Sequence, residues 1–183
     1  MSIQSETVRT PKLRFPEYSS DWTIKKLFEI SDVRTGPFGS SLHQEDYVES
    51  GTPIITVEHL GETGITTNNL PFVSDYDRIR LKSFSLKEGD IVFSRVGSVD
   101  RACITGKKEN GWLFSGRLLR IRLTNNDYIP SFINQYFKNS FTRYRIRSAA
   151  VGQTMPSLNT KILKNFHLRF PPLRKEQEKI ASF

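Results

Sequence analysis

The side chains in this chain that could do chemistry are arginines, carboxamides and hydroxyls set beside glycines. Arg34, Ser40 and Ser41 bracket Gly36-Pro37-Phe38-Gly39; Arg95, Ser98 and Arg101 surround Gly97; Gln153, Thr154, Ser157, Asn159 and Lys161 follow Gly152. Glycine lets the backbone turn sharply, so each group reads as a loop that presents side chains outward. A guanidinium can place two parallel hydrogen bonds on guanine, and a carboxamide can do the same on adenine. Hydroxyls and cations suit phosphate oxygens, a role also open to Arg117, Arg143, Arg145 and Arg147. The competing readings are an arginine paired with a nearby carboxylate and a turn serine bonded to its own backbone.

Bond-making chemistry finds less support. His43, His59 and His167 are scattered and Cys103 is the single cysteine, so no metal-ligand spacing is present. The Gly36 loop lacks the Gly-Lys-Ser/Thr ending of a phosphate-binding P-loop. Phe170-Pro-Pro-Leu173 has phenylalanine where amino-methyltransferases carry Asn or Asp, and no glycine-rich cofactor loop stands beside it; its prolines read as a strand end and a helix start.

Charge points to a polyanion. The 183 residues carry a net +8, unevenly placed: residues 1–116 hold 14 Lys/Arg against 16 Asp/Glu, and residues 117–183 hold 13 against 3. Between Lys138 and Arg169 there are seven basic residues and no acidic one. A basic solvated face is the alternative. One cysteine excludes an internal disulfide, and no apolar run is long enough to span a bilayer. With an N-terminus unlike a signal peptide, the expected location is the cytoplasm.

The elements that must position these residues follow from periodicity. Residues 1–20 read as a polar, proline-punctuated tail, followed by a short amphipathic stretch through Trp22, Leu27 and Ile30. Strands are expected over 53–57, 89–97, 101–105 and 118–123. In the last, Leu119, Ile121 and Leu123 take one face of a half-buried strand and Arg120 and Arg122 the other. Asn110-Gly111 marks a turn before Trp112-Leu113-Phe114. A helix from Ser131 to about Ser148 should bury Ile133, Tyr136, Phe137, Phe141 and Tyr144. A second helix should start at Ser157, a last strand should cover 167–170, and a new amphipathic helix follows Pro171-Pro172, with Gln177, Ile180 and Ala181 on its apolar stripe. The predicted fold class is α+β: a curled, mainly antiparallel sheet or small barrel with flanking helices, plus the beginning of a C-terminal helix.

Five segments in this order resemble the specificity (S) subunits of type I DNA restriction-modification systems: Pro11-Lys-Leu-Arg-Phe-Pro16 with Trp22, Gly36-Pro-Phe-Gly-Ser-Ser41, Gly89-Asp-Ile-Val-Phe-Ser-Arg-Val-Gly97, Gly152-Gln-Thr-Met-Pro-Ser-Leu-Asn159, and Pro171-Pro-Leu173 with Glu176-Gln177 and Ile180-Ala181. The resemblance implies a target recognition domain over 21–170 and the start of a spacer helix over 171–183. It implies a non-enzymatic chain that selects double-stranded DNA for methyltransferase and restriction subunits, with S-adenosylmethionine, ATP and Mg confined to those partners. It also implies pairing with a second specificity half, or a homodimer, through the C-terminal helix. Two other classes remain open: a single-strand or RNA binder stacking bases on Phe38, Tyr47 and Trp112, and an assembly subunit that docks on protein through its last helix.

Overall fold

In the computed structural model, which describes residues 11, 13–37, 42–152 and 155–183, the centre is the strand with the alternating arginines. That strand, β9 (Leu118–Leu123), lies between β2 (Ser31–Thr35) and β6 (Ile91–Ser94), and β7 (Ala102–Ile104) completes a sheet of order β2-β9-β6-β7, antiparallel throughout. Alternation serves two cores at once. Leu119 and Ile121, with Val33, Ile91 and Phe93, pack against helices on one face, and Leu118, Val92 and Cys103 pack against a second sheet on the other. Arg120 lies on that second face and is buried, so β9 is buried on both sides over most of its length. The expected half-buried strand is corrected to a central one.

The second sheet has order β3-β5-β4-β8: β3 (Tyr47–Val48), β5 (Phe72–Val73), β4 (Thr52–Ile55) and β8 (Leu113–Phe114). Its β4–β8 pair is parallel, with Ile54 beside Leu113 and Ile55 beside Phe114. The Asn110-Gly111 turn forms, with Gly111 at φ 87°, but the strands it separates do not pair with each other. A third sheet joins the two ends of the domain, β1 (Thr23–Lys26) running antiparallel to β10 (His167–Phe170). The sheets are open, so the barrel alternative does not hold, while the mainly antiparallel α+β class does.

Among the described residues, six α-helices flank the sheets: α1 (Leu27–Ile30), α2 (Asp75–Arg80), α3 (Pro130–Lys138), α4 (Ser140–Ala149), α5 (Thr160–Lys164) and α6 (Arg174–Ala181). The single helix expected over 131–148 is two. Asn139 leaves helical geometry at ψ 135°, and its side-chain oxygen accepts from the amides of Phe141 (3.0 Å) and Thr142 (3.4 Å), capping α4. The break turns α4 relative to α3. Phe137 stays buried, whereas Phe141 and Tyr144, expected in the core, are 68% and 62% exposed.

The chain ends hold each other. Glu176 and Gln177 on α6 are wholly buried. Glu176 receives Arg14 at 2.7 and 2.8 Å and the Trp22 indole at 3.2 Å. Gln177 accepts from the Ile129 amide at 3.0 Å and donates to the Asp127 and Pro171 carbonyls. Two expectations are corrected here. Within the stretch expected as a tail, Arg14 and Glu17 brace α6 through Glu176 and Lys179 and Phe15 meets Phe183, and Glu176, left off that helix's expected apolar stripe, is one of its anchors.

Candidate nucleic-acid interface

Four strands end at one place. The chain leaving β2 supplies Pro37, that leaving β4 supplies Thr56, Val57 and Glu58, that leaving β6 supplies Arg95, Val96 and Ser98, and that leaving β8 supplies Ser115, Gly116 and Arg117. With Leu42, His43, Tyr47, Asn69, Pro71 and Arg101, they line an open cleft of about 1070 Å³. Loops at strand ends are where a rigid scaffold can present contact residues.

Backbone bonds fix these segments to one another. Gly36 N–H donates to Leu118 O at 3.2 Å, Arg95 N–H to Arg117 O at 3.0 Å and Ser115 N–H to Ile55 O at 2.8 Å, while the Arg95 guanidinium donates to Gly116 O at 3.2 Å. A Cβ at Gly36 would sit 2.2 Å from the Ser115 carbonyl oxygen, so only glycine permits this approach. The Gly152 loop joins on the other side. Val151 and Ser157 exchange both amide bonds, Gly97 N–H donates to Pro156 O at 3.1 Å, and Leu158 N–H donates to Arg95 O at 2.8 Å. Gly97 (φ 76°) and Gly152 (φ 106°) take the left-handed turns that make this possible. The Gly97 and Gly152 loops, far apart in sequence, are thus one unit.

Of the sequence candidates, Arg95, Ser98, Arg101 and Arg117 line the cleft, and Ser157 is bridged to Val96 beside it. Ser98, Arg101 and Arg117 are exposed. Ser40, Ser41, Gln153 and Thr154 lie outside the described residues, as does Phe38.

The other candidates have different surroundings. Arg34 belongs to a charge ladder across β6, β9 and β2. Arg122 donates to Asp90 at 2.7 and 2.6 Å, Arg120 and Arg34 share Asp32, and Arg34 lies 3.3 Å from it. Burial lowers the Arg120 guanidinium from its ordinary value, and neighbouring Arg122 adds to the effect. Arg143 and Arg147 converge on Asp100, which is 7% exposed, at 2.8 and 2.5 Å. Burial works to raise the Asp100 carboxyl, but the bonds and charges of the two arginines prevail and hold it below the usual carboxylate range. Arg145 lies over the Phe166 ring, 4.6 Å from its centroid. Asn159 caps α5, accepting from Ile162 N–H at 2.9 Å, so α5 starts at Thr160 and not at Ser157. That bond occupies one lone pair of the exposed carboxamide. Lys161 is exposed on the same helix.

Residues 19–183 match the family model described as the type I restriction modification DNA specificity domain. The chain belongs to that family. The MjaVIII type I restriction enzyme specificity subunit of Methanocaldococcus jannaschii is 21% identical over 174 residues, covering 91% of this chain and 39% of that protein. A second protein of that organism, assigned as the specificity subunit of the type I restriction enzyme MjaX, is 27% identical over 176 residues, with coverage of 93% and 40%. The chain thus spans about two fifths of the length of these relatives. In fold it is similar to the S subunit of the type I restriction-modification system of M. genitalium (TM-score 0.67, 18% identity, 95% of this chain and 40% of that one). It is likewise similar to the HsdS subunit of Thermoanaerobacter tengcongensis (TM-score 0.65, 15% identity, 91% and 37%).

The specificity domain also brings to the cleft residues that the sequence reading passed over: Thr56, Glu58 and Asn69. Asn69 has φ 55°, and neither it nor Glu58 carries a local signature that would single it out. Trp112, a candidate stacking platform, is partly buried against the core behind β4 and β8, with Lys108 over its ring; Tyr47 does line the cleft. Among the described residues, no cluster of His, Cys, Asp or Glu is spaced to hold a metal ion, and no helix is long and apolar enough to cross a membrane.

Proposed function

We propose that this domain reads double-stranded DNA within a type I specificity subunit, directing methyltransferase and nuclease partners to one half of a split target. The supporting observation is the cleft where strand ends gather Arg95, Arg101 and Arg117 on a backbone locked by Gly36, Gly97 and Gly152. Arginine on guanine supplies discrimination of about 1–3 kcal/mol per bidentate pair, and further cations on phosphates supply affinity that salt weakens.

On this reading the chain performs no chemistry of its own. S-adenosylmethionine, ATP and Mg act on the partner subunits. The exposed side of α6, with Lys175, Glu178 and Lys179, faces a second specificity half or a second copy, while Glu176 and Gln177 set its direction from the domain.

The test is duplex binding by the native complex over a range of salt. Log affinity should fall linearly with log salt; an arginine-to-alanine change should flatten that slope by about one where the arginine meets phosphate, and should relax the preference at one base position where it meets guanine. A slope and a base preference both unaffected by all three changes, in folded protein, would remove the cleft from the DNA contact.

A further inference from the structure

Glu58 is the one carboxylate among the described residues lining the cleft, where Arg95, Arg101 and Arg117 supply the positive charge. Its side chain is exposed, and among the described residues it makes no ion pair. On a surface that approaches phosphates, an unneutralised carboxylate opposes binding through like-charge repulsion. A carboxylate in such a place becomes favourable when it meets hydrogen-bond donors, and the major-groove edges that present one are the exocyclic amino groups of cytosine and adenine.

The position of Glu58 is built. Its Oε1 accepts from the Thr56 hydroxyl at 2.9 Å, and the Thr56 amide donates to His59 Nδ1 at 3.0 Å. His59 is 1% exposed, and its Nε2 lies 3.1 Å from the carbonyl of Asn68, the residue before Asn69. Since Nδ1 accepts the Thr56 amide, Nε2 carries the proton and donates to that carbonyl. One buried imidazole therefore ties together the two segments that bring Glu58 and Asn69 to the cleft. Burial raises the Tyr47 phenol from its ordinary value, Arg117 works against that, and Asp46 and then Glu58 add to it, so charges of both signs act on this one phenol.

We infer that Glu58 is a specificity-determining residue that accepts a hydrogen bond from a base amino group, selecting cytosine or adenine and rejecting guanine or thymine at one target position. The inference rests on the DNA-reading function proposed above. Rejection follows because guanine O6 and thymine O4 turn a lone pair toward an acceptor that has no proton to share. His59 is the positioning residue, holding the carboxylate through Thr56.

The experiment is selection of bound duplexes from a pool randomised across the target, using the native complex with Glu58 or with Glu58→Gln. The amide keeps the shape but adds a donor. The expected result is that one position, restricted to cytosine or adenine in the parent, accepts guanine or thymine, with discrimination there reduced roughly tenfold. The other positions keep their preferences. Unchanged preference at every position, with affinity merely raised by the lost negative charge, would overturn the inference and make Glu58 a turn-capping acid only. If the parent complex itself selects no sequence, it is the DNA-reading function that fails.

Discussion

Arg14 and Glu176, 162 residues apart, are joined by two hydrogen bonds of 2.7 and 2.8 Å, with the carboxylate wholly buried. This pair makes the direction of α6 a property of the specificity domain. Breaking a buried pair from one side leaves an uncompensated charge, so Glu176→Ala should lower the melting temperature by about 5–10 °C. Gln177→Leu strands the Ile129 amide and two carbonyls and should cost about 2–4 kcal/mol. Denaturation midpoints check both; values equal to the parent's would show that α6 docks by other contacts.

Asp100 sits between Ser98 and Arg101 of the cleft and holds Arg143 and Arg147 of α4. Asp100→Asn should cost about 1–3 kcal/mol. It should also release positive charge, raising non-specific DNA affinity while weakening discrimination. A folded variant whose discrimination is intact would separate this clamp from reading.

The same carboxylate gives a pH dependence. Its folded pKa lies below its unfolded value of about 3.9, so its contribution is fully present above that value. It is lost as pH falls further, through the folded pKa. The parent should therefore lose stability between about pH 4 and lower values more steeply than Asp100→Asn. Parallel acid-unfolding curves for the two would contradict this assignment.

Gly36→Ala places a methyl group against the Ser115 carbonyl. The seam between the chain leaving β2 and the chain leaving β8 must open, at a cost of about 1–3 kcal/mol. DNA affinity should fall beyond what stability explains. Asn159→Asp should keep the α5 cap, and Asn159→Ala should lose about 1 kcal/mol. Thermal melts of the pair check that the amide serves the helix.

The strands were legible wherever alternation is local. Leu118–Leu123 and His167–Phe170 show their faces in sequence, and β-branched runs mark β4 and β6. The break at Asn139 was hidden because apolar spacing continues across it, although an Asn followed by Ser-Phe-Thr is a cap signal in its own right. The site was only partly readable, since a basic run in sequence is not a basic patch in space. Arg143 and Arg147 meet an acid more than forty residues earlier in the chain, and Arg120 and Arg34 meet Asp32 across the sheet. The cationic cleft instead gathers Arg95, Arg101 and Arg117 from two separate bends. Glu58 follows β4 and Asn69 precedes β5, and the pairing of β4 with β5 and, in parallel, with β8 joins segments that no local pattern brings together.

The most direct test of the central claim is methylome sequencing of cells carrying the intact specificity subunit and its methyltransferase, with this domain native or exchanged for another of the family. DNA reading by this domain predicts that one half of the methylated motif changes with the exchange and the other half stays. A motif identical in both strains would contradict it.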